Sequence, residues 1–124
     1  MSAALQALTL AAALGCGTVG GVFFAFSTFV MPALRRLPEA QGVAAMQSIN
    51  ITAITPLFMT ALFGTAVVCL GLAAWAAISL GEPGAPYVGA GGLLFLAGTI
   101  LVTMAKNVPL NNELAPLPPV GAEV

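Results

Sequence analysis

From Met1 to Leu34 the chain carries no Asp, Glu, Lys, Arg or His. A helix crosses the hydrocarbon core of a bilayer with about 20 apolar residues, each adding roughly 1.5 Å. This opening run is longer than that, so it needs lipid or a large apolar interior around it. Composition decides between the two. Hydrophobic residues make up 60% of the chain and charged residues 6%, against roughly a quarter charged in a soluble domain. Arg35, Arg36, Glu39, Glu82, Lys106, Glu113 and Glu123 are the only formal charges. They cannot cover a water-facing surface, so a soluble single domain is rejected. The fold class expected is all-α integral membrane, with three transmembrane helices plus one interfacial amphipathic helix.

The N-terminus does not read as a signal peptide. No Lys or Arg precedes the apolar run, and the run outlasts an h-region. Ala13-Leu14-Gly15-Cys16 has the outline of a lipoprotein cleavage site, but apolar sequence continues past it to Leu34.

The first span is placed at about residues 5–30, stopped by Met31-Pro32 and then Arg35-Arg36. Residues 39–54 differ in character. Val43, Met46, Ile49 and Ala53 or Ile54 recur at helical spacing among Gln41, Gln47, Ser48, Asn50 and Thr52, which predicts an amphipathic helix lying at the membrane surface. Thr55-Pro56 reads as an N-cap and first helical position, opening a second span at about 57–79. The alternative is one long helix kinked at Pro56. Gly81 to Pro86 is a tight turn, and a third span follows at about 87–105, closed by Lys106. Residues 1–115 are read as a single helical membrane domain. The proline-rich stretch from Pro109 is expected to be extended, with 116–124 as a flexible tail.

With three crossings, Arg35, Arg36 and Lys106 fall on one side and Glu82 on the other. The positive-inside rule then places the C-terminus in the cytoplasm and the N-terminus outside a plasma membrane.

Several chemistries are excluded. Three basic residues and a net charge of −1 do not neutralise many phosphates, so no nucleic-acid partner is expected. No His and no Asp are present. That removes histidine-ligated haem or zinc, 2-His-1-carboxylate iron and any Ser-His-Asp triad; no metal and no cofactor is expected. The spans hold no ionisable Asp, Glu, Lys or Arg, which argues against ion conduction or pumping. Cys16 and Cys69 each sit in an apolar run and read as small buried hydrophobes, with a redox or pairing role as the alternative.

Ala13, Gly17, Gly21 and Ala25 recur every four residues and put small side chains on one helix face. This row is read as helix packing, within the chain or against a second copy. Polar side chains gather toward one membrane face. Among them Arg35, Gln47, Asn50, Asn107 and Asn111 are the candidate ligand-binding residues, the polar edge of a cavity for a flat apolar ligand. The alternative for each is a headgroup contact or a helix cap. Glu39 and Glu113 are the only carboxylates near that rim, neither has a histidine to pair with, and no catalytic residue is assigned.

Three blocks carry a family resemblance. The first runs Gly21-Val22-Phe23-Phe24-Ala25-Phe26-Ser27-Thr28-Phe29-Val30-Met31-Pro32-Ala33-Leu34. The second is Ala45-Met46-Gln47-Ser48-Ile49-Asn50, and the third Asn107-Val108-Pro109-Leu110-Asn111-Asn112. In this order, over about residues 15–115, they resemble the anthrone-oxygenase-like family of small integral membrane proteins, a largely bacterial family of unknown function. The resemblance implies a four-helix membrane bundle. Fungal relatives oxidise anthrones to anthraquinones with dioxygen and no evident cofactor. After the third block the family has a Trp-rich stretch with an Asn-His-Arg-like motif and a fourth span; neither stands in this sequence. A chain of this kind leaves one side of the bundle open to a second copy or a partner transmembrane helix. Two functional expectations follow: a cofactor-independent oxygenase for a flat hydrophobic aromatic, or a non-catalytic membrane subunit that binds a lipophilic ligand.

Overall fold

A computed structural model describes residues 1–117. All regular structure among them is helical. Three helices are long and apolar enough to cross a membrane: α1 (Ala3–Arg35), α3 (Pro56–Ile78) and α4 (Ala85–Leu114). Between the first two lies α2 (Glu39–Thr52), in the segment expected to be interfacial.

The helix ends follow local chemistry. The Ser2 hydroxyl accepts from the Leu5 N–H and caps α1. The Thr55 hydroxyl accepts from the Phe58 N–H at 3.2 Å, with Pro56 at the first helical position. The chain therefore breaks before Pro56, and the single kinked helix is excluded. Gly84 adopts φ +82°, a left-handed geometry that glycine takes without a Cβ clash. It closes the turn between α3 and α4.

Two boundaries differ from expectation. α1 does not stop at Met31-Pro32 but continues to Arg35, and α4 continues through Lys106 and Pro109 to Leu114. An interior proline removes a backbone donor and crowds the carbonyl four residues earlier. Here a wide π-helical turn precedes each one. Phe26–Val30 comes before Pro32, with Met31 N–H donating to Phe26 O. Thr103–Asn107 comes before Pro109, with Val108 N–H donating to Thr103 O. The extra residue in each turn relieves the clash without ending the helix. The Pro109 stretch is accordingly helical to Leu114 rather than extended. Of the proposed tail, residues 118–124 lie outside the described residues.

α3 is the central helix and packs against both α1 and α4. Its buried residues are Leu62, Thr65, Cys69, Leu72 and Ala76, a three-four alternation that keeps one narrow seam turned inward. From α1 it meets Ala12 and Val19, and from α4 Phe95. Close approach depends on missing side chains. A Cβ on Gly15 would collide with Thr65 Oγ1, and one on Gly92 would lie 2.9 Å from the Cys69 carbonyl oxygen. The expected row of Ala13, Gly17 and Gly21 is not this seam. All three are exposed, Ala25 is half-buried, and a Cβ at Gly17 or Gly21 would meet nothing within 4 Å. Within the chain, α1 turns Ala12, Gly15, Cys16 and Val19 to its neighbour, one position away from the row.

The outer faces are apolar. Leu57 and Ile78, at opposite ends of α3, are 84% and 86% exposed. Water would charge heavily for such surfaces, whereas lipid tails solvate them. Hydroxyls in α1 are hidden by donating to carbonyls four residues back: Thr9 to Leu5, Thr18 to Leu14 and Thr28 to Phe24. This satisfies each hydroxyl within its own helix, without a water partner.

Candidate functional site

The two ends of the molecule are unlike. At one end the N-terminal ammonium lies 3.9 Å from Glu82 in the α3–α4 turn. At the other, α1 ends in Arg35 and Arg36, and α2 folds back across that end. Gly42 allows this, since a Cβ there would lie 3.0 Å from the Leu34 carbonyl oxygen. α2 also packs against the last turns of α4. The polar residues singled out from the sequence all belong to this second end.

Length explains the asymmetry. α3, with 23 residues, spans about 35 Å, close to a bilayer core. α1 and α4, with 33 and 30 residues, reach about 50 and 45 Å. Their excess, together with α2, forms a cap on the polar end.

Under that cap is an open groove of about 400 Å³. Its walls are Met31, Leu34, Leu37, Gly42, Val43, Met46 and Leu114, and Arg35 and Glu39 border it. Glu39 stands in the first turn of α2, where the partial positive charge of the helix start favours a carboxylate. Within the described residues no ion pair joins Arg35 to Glu39. The groove therefore offers an apolar bed with one cation and one anion at its edge.

Of the five candidate ligand-binding residues, Arg35 lines this groove. Gln47 is already engaged: its Nε2 donates to the Leu114 carbonyl at 3.0 Å and also reaches the carbonyls of Ala115 and Leu117. The last carbonyls of a helix have no intrahelical partner, so Gln47 acts as a C-terminal cap for α4 supplied from α2. Its amide nitrogen is thus committed to these carbonyls. Asn50, one turn further along α2, is half-buried, and its Nδ2 is enclosed with no hydrogen-bond partner among the described residues. Thr103 Oγ1 in α4 is in the same state. Asn107 and Asn111 are half-buried on the last turns of α4 and do not line the groove. Glu39, Met46 and Leu114 join the site without having been assigned to it. Glu39 was visible only as a carboxylate near the rim.

A second groove, of about 360 Å³, lies between α1, α3 and α4 within the spans. It is lined by Thr9, Ala12, Cys16, Cys69, Leu72 and Tyr87 among others, with no charged side chain. Among the described residues no cluster of three or more His, Cys, Asp or Glu could hold a metal ion.

Residues 55–124 match a protein family described as anthrone oxygenase. The matched part includes α3, α4 and the Asn107-to-Asn112 block. The Gly21-to-Leu34 and Ala45-to-Asn50 blocks lie outside it. Comparison with curated proteins and with solved structures gave no match.

Proposed function

The chain belongs to the anthrone oxygenase family, and from that premise we propose that it binds a flat, lipophilic, oxygen-bearing ring system in the groove beneath the cap and promotes its oxidation by dioxygen. The observation that carries this reading is the groove itself. Its open volume of about 400 Å³ gives a ring system room to lie against apolar walls, with polar groups at one edge to orient it. In this reading a molecule dissolved in the membrane reaches the groove past the overhanging helix ends.

The chemistry follows from the groups present. An anthrone has an acidic methylene whose deprotonation yields an oxyanion delocalised over the rings. That anion passes an electron to dioxygen; recombination and loss of water convert CH₂ to C=O, so that substrate and O₂ give product and H₂O. The protein has to remove a proton, hold the oxyanion and exclude bulk water. Glu39 is the carboxylate that borders the groove and takes the role of base. Arg35 takes the role of oxyanion partner. In this reading the capped end faces the cytoplasm of a plasma membrane.

The test uses the full chain in lipid nanodiscs with anthrone and dissolved oxygen, following quinone absorbance. Glu39→Gln is expected to lower kcat by about 100-fold or more, with binding retained. Arg35→Gln is expected to weaken both. Anthrone binding with an undiminished rate in Glu39→Gln removes Glu39 as base, and absence of anthrone binding removes the reading. A second reading, a non-catalytic membrane subunit, is favoured by Gly17 and Gly21, whose open surroundings leave space for another helix. It requires the chain to co-purify with a defined partner span and to leave anthrone unchanged.

A further inference from the structure

Cys16 and Cys69 are 53 residues apart in sequence, yet their Sγ atoms lie 3.7 Å apart across the α1–α3 seam. Both are free thiols. Cys69 is 1% exposed, Cys16 is half-buried, and both line the groove within the spans. The oxygenation described above uses neither. We propose that the pair is a membrane-embedded dithiol that is oxidised reversibly to a disulfide by a neutral organic hydroperoxide dissolved in the bilayer.

The geometry favours closure. A disulfide bond is about 2.0 Å long, so the sulfurs have only a short distance to move. The helices are already held close at the adjacent point, where Gly15 meets Thr65. Gly15 precedes Cys16, and Thr65 is one turn before Cys69, so the bond forms where the backbone has least need to shift.

The groove selects the oxidant. Ala12, Ala13, Leu72, Val88, Gly91 and Gly92 wall it, and no charged side chain borders it. A charged or strongly hydrated oxidant loses its solvation there, whereas an alkyl hydroperoxide keeps its apolar surroundings. Exposure orders the steps. Cys16, the more accessible thiol, attacks the terminal peroxide oxygen. The O–O bond breaks, Cys16–SH becomes Cys16–SOH, and the thiol proton leaves with the alkoxide as an alcohol. Cys69 then attacks the sulfenic sulfur, forming the S–S bond and releasing water. The sulfurs lose two electrons together and the peroxide gains them. A sulfenic acid with a resolving cysteine beside it takes this course in preference to further oxidation. The product ties the first span to the second.

The experiment uses the full chain in lipid vesicles, treated with cumene hydroperoxide, quenched in acid, denatured, and counted for thiols by maleimide addition and mass. Adducts are expected to fall from two to none and to return to two after dithiothreitol, with the chain remaining monomeric on a non-reducing gel. In Cys69→Ala, Cys16 is expected to be trapped by dimedone as the sulfenic acid; in Cys16→Ala, Cys69 is expected to keep its thiol. Two surviving thiols, under conditions that oxidise the same chain in denaturant, overturn the proposal. So does a disulfide found only between chains. Anthrone turnover is read separately in the Cys16→Ala/Cys69→Ala double variant and is expected to persist, so each assignment fails on its own evidence.

Discussion

At the scale of single residues, this protein is built on positions where an added atom has no room. Gly92 faces the Cys69 carbonyl, a backbone atom that does not swing aside, and Gly15 faces Thr65, a buried β-branched side chain with few rotamers. Gly92→Ala and Gly15→Ala are each expected to cost about 1–3 kcal/mol through overpacking, whereas Gly17→Ala is expected to leave stability unchanged. Thermal unfolding in mild detergent checks the three together, and equal losses reject the seam described here. Asn50 gives the opposite kind of prediction. Its enclosed, unpaired Nδ2 makes Asn50→Leu neutral or stabilising, since replacing an unsatisfied donor with an apolar group removes its desolvation cost. A melting point that falls by several degrees shows that Asn50 has a structural partner after all. The seam was not legible in the sequence for a specific reason. α1 has small residues on more than one face, and the row with the most regular spacing, Ala13 to Ala25, is not the one that packs within the chain. Thr65, Cys69 and their neighbours on α3 make the choice, and nothing in α1 alone identifies them.

At the scale of elements, local signals read well where the chemistry is local. Thr55-Pro56 announced the start of α3 because a cap and its proline act within one turn. Thr55→Ala is expected to cost about 1 kcal/mol, measured in the same unfolding assay. The helix around Met31-Pro32 runs on to Arg35, and the one whose span was closed at Lys106 runs on through Pro109 to Leu114, although a proline normally stops a helix. The π turns at Phe26–Val30 and Thr103–Asn107 carry the helix past each proline, a solution that the residue type alone does not announce. The contact between Gln47 and Leu114 was equally hidden, because it joins residues 67 positions apart. Gln47→Ala is expected to loosen residues 108–117 by about 1 kcal/mol, seen as faster hydrogen exchange there with the spans unaffected. Uniform acceleration along all of α4 assigns Gln47 a global role instead.

At the scale of the whole molecule, the uncharged opening run and the sparse charges were enough to give an all-helical chain with three helices able to cross a membrane. The gathering of polar groups at one end also followed, because an odd number of crossings puts the ends of α1 and α4 together. The groove did not follow. It exists because α2 folds back over the end of α1, and only Gly42 hints at that. Of the five residues first singled out, one lines it. The orientation argued from Arg35, Arg36 and Lys106 predicts that cysteines placed at 84 and 112 label from opposite sides, 84 from outside the cell and 112 from the cytoplasm. Labelling of 84 from the cytoplasm reverses it.

The bond from Gln47 to the last carbonyls of α4 also sets an order of events during synthesis. α2 is made before the second crossing begins, but its anchor at residues 114–117 does not exist until the third crossing is complete. Until then α2 has only the end of α1 to rest on, and the groove lacks its Leu114 wall. The groove is thus completed only once α4 has been made through Leu114, and a chain interrupted within α4 before that residue lacks both this wall and the anchor for α2.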